Sequence, residues 1–252
     1  YDFFSQAAAI DPRNAQAHYH LGLVLAHERK QPEAARICFE EARKRAPSDP
    51  DVLYQLGVLA RDAGKPKEAR EMLERAKTHH GNPAEVTFQI ALLDDAVGNL
   101  PDMDRDLRET LALDPTHEQA YYELANLYLR INDPERAMSV LEEAMQIGPR
   151  FAPLHFLYAG LLKRGGRIKE AVRSLEVGLN LGPDHAEGYF DLGYAVAALG
   201  SYRDAIFHLE QYVARAKTKA PERARMARTL IDKLWIEVDR KVDQRNPNLR
   251  LF

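Results

Sequence analysis

The chain has one cysteine, one tryptophan, and no run of about 18 apolar residues. Each shortage removes a class of protein. Cys38 alone cannot build an intramolecular disulfide framework or a zinc site resting on several cysteines. A reducing compartment fits a lone thiol without being required by it, and a cytoplasmic setting is the expectation. No transmembrane helix is expected, and the opening residues do not read as a signal peptide. A phosphate-cradling glycine loop is also missing, because Gly165-Gly166 reads as a helix-ending turn. Charge of one sign is not in excess either: 35 Lys/Arg stand against 38 Asp/Glu. The residues from 213 to 252 carry eleven Lys/Arg and five Asp/Glu, so a mildly basic end follows a body of net charge −9. Such a balance does not steer nucleic acid, and binding through the basic end would have to show a steep salt dependence.

What is present is a repeat. Residues 118–151 read EQAYYELANLYLRINDPERAMSVLEEAMQIGPRF, two amphipathic helical patterns across one short turn. Tyr121, Leu124, Ala125, Tyr128, Ala137, Leu141, Ala144 and Pro149 occupy slots that recur every 34 residues, with one extra residue in the first copy. The first helix of each copy pairs a large residue with a small one: Leu21-Gly22, Leu56-Gly57, Ile90-Ala91, Leu124-Ala125, Tyr158-Ala159 and Leu192-Gly193. The small member lets two helices approach closely. The second helix places a small residue four before a large one, as in Ala35/Phe39, Ala137/Leu141 and Ala205/Leu209, on one helical face.

The punctuation follows the same period. Gly64, Gly98, Gly166 and Gly200 stand where first helices must stop, and Asn132 takes that place in the fourth copy; both residue types tolerate the left-handed conformation. Asp133-Pro134 reads as an N-cap followed by proline at the first helical position. Residues 1–14 match the second half of a copy, so they read as the second helix of a truncated repeat. Residues 15–218 hold six copies. Residues 219–243 form a capping helix, with Ala227, Leu230, Leu234, Trp235, Val238 and Val242 as its apolar face and Arg223, Arg228, Lys233, Arg240 and Lys241 outside. Residues 244–252 read as a tail. The third copy departs most, with Asp94 and Met103 in slots that favour other residues. Looser packing is expected there, since Asp94 is costly to bury unpaired.

The pattern resembles the tetratricopeptide repeat family, whose signature W-x2-L-G-x2-Y, A-x3-F, P recurs six times in register, with substitutions in every copy. The Trp slot holds His18, Leu53, Thr87, Tyr121, His155 and Tyr189 instead. The resemblance implies an all-α fold, a right-handed α-solenoid of tandem helix-turn-helix units whose first helices line a concave, protein-binding groove. Family register places Tyr19, Tyr54, Phe88, Tyr122, Phe156 and Phe190 on the inner side, with Leu23, Val58, Leu92, Asn126, Gly160 and Tyr194 one turn on. The carboxylate-clamp subtype grips acidic C-termini with Lys, Arg and Asn at these slots. Only Asn126 fits that set here, so the chain resembles the non-clamp type.

No catalytic residues, metal ligands or cofactor are expected. His18 and His155 fall in the aromatic core slot, His79-His80 end a helix, and Asp94-Asp95 diverge as sequence neighbours on a helix. The expected function is a scaffold or adaptor that binds a partner protein in the groove as part of a larger assembly. The alternative is a regulatory or substrate-docking arm of an enzyme whose catalytic domain lies outside these residues. The fourth to sixth copies concentrate apolar and cationic groups: Tyr122, Asn126, Arg130, Phe156, Leu157, Lys163, Arg164, Phe190 and Tyr194. The first three mix in Asp51, Asp62, Glu85 and Asp95. A partner segment with apolar anchors and some acidic residues is therefore expected over the later copies. Neither nucleic acid nor a membrane is expected as a partner.

Overall fold

In the computed structural model the described residues are 2–216 and 220–245, with side chains through 240. The side chains of Lys241 and Val242, and the part of the expected tail from 246 onward, lie outside them. Fourteen helices and no strands make up the described residues. The chain divides into two compact units, Tyr1–Ala120 and Tyr121–Phe252, and the boundary falls in the first turn of α8.

The first unit holds α1 (Asp2–Ile10), α2 (Ala15–His27), α3 (Pro32–Arg45), α4 (Pro50–Asp62), α5 (Pro66–Lys77), α6 (Pro83–Val97) and α7 (Leu100–Leu113). The helices α2, α4 and α6 pack on α3, α5 and α7 as antiparallel pairs. Glycine sets their separation. A Cβ on Gly22 would lie 2.6 Å from the Phe39 ring, and one on Gly57 would lie 2.7 Å from Leu73. Side-chain caps start the helices: Asn14 accepts from the Ala17 amide at 3.0 Å, and Asp49 accepts from those of Asp51 and Val52. Gly64 and Gly98 end α4 and α6 with φ near +70 and +77. The longer first turn uses Lys30 at φ 54, where no glycine is available.

The third copy is not loose. Met103 is 1% exposed and Leu107 fully buried. Thr87 and Thr110 are buried too, their hydroxyls donating to the carbonyls of Pro83 and Asp106 one turn back. Asp94 is wholly buried but not unpaired, because Arg70 reaches it from α5 of the preceding copy. Flexible Met103 fills the slot without forcing α6 and α7 apart.

The second unit holds α8 (Glu118–Arg130), α9 (Pro134–Gln146), α10 (Ala152–Arg164), α11 (Ile168–Leu181), α12 (Ala186–Ala198), α13 (Tyr202–Ala216) and α14 (Pro221–Arg245). Asn132 adopts φ 59, the left-handed turn expected of it, and Asp133 then caps α9 through the Arg136 amide at 3.0 Å. Tyr121 and Tyr128 are buried under α9, and the Tyr121 hydroxyl donates to Glu143 at 3.2 Å. Burial beside that carboxylate pushes the phenol up to about 12. A Cβ on Gly193 would lie 2.8 Å from Leu209, so α12 and α13 meet as closely as the glycine pairs of the first unit. Ala224, Ala227, Leu234 and Val238 bury one face of α14 against α13. The helix runs to Arg245, two residues past the end expected for it.

Candidate protein-binding face of the second unit

Each inner aromatic of the first unit's later copies has a ring partner in the loop before the next first helix. Tyr54 lies 4.8 Å from His80 and Phe88 4.6 Å from His117, centroid to centroid. The second unit repeats the arrangement: Tyr122 meets Phe151 edge-on at 5.6 Å, and Phe156 stacks on His185 at 4.0 Å and 15°. His185 also caps α12, since its Nδ1 accepts from the Gly188 amide at 2.9 Å, which leaves the ring proton on Nε2. These ring pairs hold each of these first helices against the loop that leads to the next copy. Sequence reasoning missed His117 and His185, although with Phe151 they recur at the 34-residue period, because the family signature has no slot at that loop position.

The nine residues expected to meet a partner all lie in the second unit, but they differ in access. The Phe156 ring is wedged between two glycines: a Cβ on either Gly178 or Gly188 would stand 2.8 Å from its Cε1. Phe190 packs on Tyr212 at 5.1 Å, and the Arg223 guanidinium covers its other face at 4.5 Å. Arg223 therefore does not belong to the outer face of α14 as expected. It turns back onto α12, where Glu187 at 2.8 Å and Asp191 at 4.0 Å hold it. Tyr122, Asn126 and Leu157 are half-buried, and Arg130 is exposed.

Lys163, Arg164 and Tyr194 come together. The Lys163 ammonium pairs with Asp191 at 2.6 Å, which places α10 beside α12 on this face. Tyr194 is 58% exposed, while Phe190, one turn earlier at the aromatic slot, is half-covered. Between α10 and α12 lies a hollow of about 430 Å³ edged by Lys163, Arg164 and Tyr194, with Gly160 in its lining.

The inner side of the first unit is acidic and internally paired. Glu85 accepts from the Tyr54 hydroxyl at 3.1 Å and from Gln89 at 2.6 Å, with His117 Nε2 at 3.4 Å. These bonds, His117's foremost, bring its carboxyl down to about 2. His80 stands 3.4 Å from Asp51. Among the described residues no three His, Cys, Asp or Glu side chains are grouped as metal ligands. His155 instead bonds the Pro149 carbonyl at 2.9 Å, and His18 the Pro12 carbonyl at 3.2 Å, which accounts for histidine in a core aromatic slot.

Three sequence profiles, each described as tetratricopeptide repeat, match the chain: one over residues 4–50 and 31–85, one over 107–138 and one over 132–192. No curated protein sequence matches it. Among solved structures, PilF of Pseudomonas aeruginosa superposes with a TM-score of 0.70 at 17% identity, over 88% of this chain and 97% of that one. A structure described as the APC/C hetero-tetramer Cut9–Hcn1 gives 0.67 at 15% identity over 93% of this chain. This chain spans 45% of that one. A thermophilic repeat protein of Thermus thermophilus gives 0.55 at 19% identity, over 73% and 100%. At these identities the likeness is one of fold.

Proposed function

We propose that this chain, which belongs to the tetratricopeptide repeat family, binds a partner protein on the inner side of its second unit. The family fold is a protein-interaction module, and stacked helix pairs offer long exposed faces to a partner. In this reading residues 15–218 are six repeats, α1 is the second helix of a further one, and α14 is the cap. The partner contributes apolar anchors and some acidic residues, and the setting is cytoplasmic. It meets Tyr122, Asn126, Arg130, Leu157, Lys163, Arg164 and Tyr194 directly, while Phe156 and Phe190 support that face from beneath.

The observation that carries the reading is Tyr194. It exposes more than half of a large aromatic surface beside two cations, at a slot that holds no ring in the five other copies. Exposed aromatics with arginine neighbours are the residues from which interfaces draw most of their energy. Site-specific photo-crosslinking tests it. A benzophenone side chain is placed at Tyr194, at Tyr122, and at Val177 on α11 as a control. Discrete protein adducts from Tyr194 and Tyr122 are expected in extracts of the source cells. Adducts from Val177 alone would move the binding surface to the second helices.

A further inference from the structure

Arg164 ends α10 with its side chain exposed, and among the described residues it enters no ion pair. Its cationic neighbours are all engaged: Lys163 by Asp191, Arg167 by Glu142 and Glu170, and Arg223 by Glu187. Arg164 also lines two separate hollows. One is the inner hollow of about 430 Å³ towards α12, over Gly160 and against Tyr194. The other, about 560 Å³, lies towards the start of α9, where Pro134, Met138 and Leu161 form its apolar part. Both are shallow and open, of a size to seat single side chains.

Gly160 adds an independent observation. Glycine in a helix interior is destabilising relative to alanine. At Gly22, Gly57, Gly178, Gly188 and Gly193 a packing partner explains it, since a Cβ would come within 3 Å of a neighbouring side chain. At Gly160 nothing lies within 4 Å of where the Cβ would be. The chain's own packing gives no reason for glycine there, and its missing side chain deepens the inner hollow.

We propose that these two hollows and Arg164 form one docking site for a short acidic segment of the partner: one carboxylate flanked on both sides by a bulky apolar residue. This rests on the reading that the inner side of the second unit binds protein. The carboxylate pairs with Arg164. One apolar side chain lies over Gly160 against Tyr194, and the other lies over Met138 and Leu161. Charge fixes the order. The outer hollow is edged by Glu135, which has no ion pair among the described residues, and by Glu142, already held by Arg167. An acidic side chain is repelled there and is drawn to the guanidinium between the hollows, while a basic centre is repelled by Arg164. A bidentate guanidinium–carboxylate contact adds geometric selectivity.

The probe is a displayed library of random dodecapeptides selected on the full chain. Enriched peptides are then titrated against wild type, Arg164→Glu, Gly160→Trp and Tyr122→Glu, with a thermal melt of each variant. Gly160→Leu replaces Gly160→Trp if the larger side chain unfolds the protein. The expected result is a pool carrying the apolar–acid–apolar pattern. Those peptides lose tenfold or more in affinity for Arg164→Glu and Gly160→Trp, and the pool reselected on Arg164→Glu exchanges its central acid for Lys or Arg. Enriched peptides that bind both variants within twofold of wild type, yet lose affinity for Tyr122→Glu, overturn this site and leave the inner-side reading standing. Peptides indifferent to all three variants overturn both. A library that yields no enriched peptide also overturns the site, and the crosslinks then decide the broader reading by themselves.

Discussion

Replacing Asp94 with asparagine should make the first unit more stable at mildly alkaline pH. Asp94 on α6 is fully buried, Asp106 on α7 nearly so, and the Asp94 Oδ2 has no hydrogen-bond partner. Arg70 approaches from α5, and Arg105 holds Asp106 at 2.8 Å. Burial pushes the Asp94 carboxyl up, Arg70 opposes the rise, and Asp106 adds to it. A proton on Asp94 would satisfy the orphan oxygen, and its loss would leave a buried carboxylate with that oxygen unpartnered. A folded-state value above the ordinary one means that this contribution is complete below about pH 4. It is lost as pH rises through the folded value. In Asp94→Asn the amide carbonyl still accepts from Arg70, and the NH₂ donates to Asp106 at every pH. An unsatisfied buried acceptor costs about 1–3 kcal/mol, or roughly 4–12 °C in Tm for a unit of this size. Thermal melts near pH 5 and pH 8 read the effect. Wild type should lose stability over that rise by clearly more than the variant, and hydrogen exchange should place the difference in α6 and α7. A variant less stable than wild type at pH 8, with an unchanged pH slope, would refute the raised Asp94 carboxyl as the source of the effect.

Three further outcomes follow from the packing. Gly160→Ala should raise stability by about 0.5–1 kcal/mol, whereas Gly193→Ala, whose Cβ would meet Leu209 at 2.8 Å and the Ala205 carbonyl at 3.1 Å, should lower it by roughly 1–3 kcal/mol; paired denaturant titrations compare them. Phe156→Ala should cost about 3 kcal/mol of stability, the low end of the range for buried aromatics, because the ring fills the gap between Gly178, Gly188 and His185. Its effect on partner affinity should vanish once titrations are corrected for the folded fraction. Glu85→Gln should cost roughly 1 kcal/mol near neutral pH. Because the Glu85 carboxyl is held near 2, its contribution is present above its unfolded value and lost as pH falls through the folded one, so stability curves of variant and wild type should converge as pH falls from about 5 to about 2.

The period made most of the architecture legible. Close-approach glycines, the left-handed Asn132 and the Asp133 cap all depend on residues within one copy, and local sequence carries that information. What escaped it depends on residues from different copies. Asp94 looked like a defect because its partner Arg70 lies 24 residues earlier, across a helix pair. Phe156 and Phe190 looked like exposed anchors because the sequence cannot show that Gly178 and Gly188 receive one ring. Nor can it show that Arg223 from the final helix covers the other. Family register sets Gly160 among the inner positions, but only the empty space around it sets it apart from the packing glycines.

The Arg223 contact makes the end of the second unit a competition rather than a vacant surface. A molecule that takes the open face of Phe190 does so in exchange for a guanidinium already seated there at 4.5 Å. Its measured affinity is thus the difference between two contacts, the resident one worth about 0.5–2 kcal/mol. By linkage, whatever loosens Arg223 from Glu187 and Asp191 strengthens the incoming ligand by the same free energy. Added salt then has two opposite effects on one interface: it screens the newcomer's charges and also weakens the arginine it must displace.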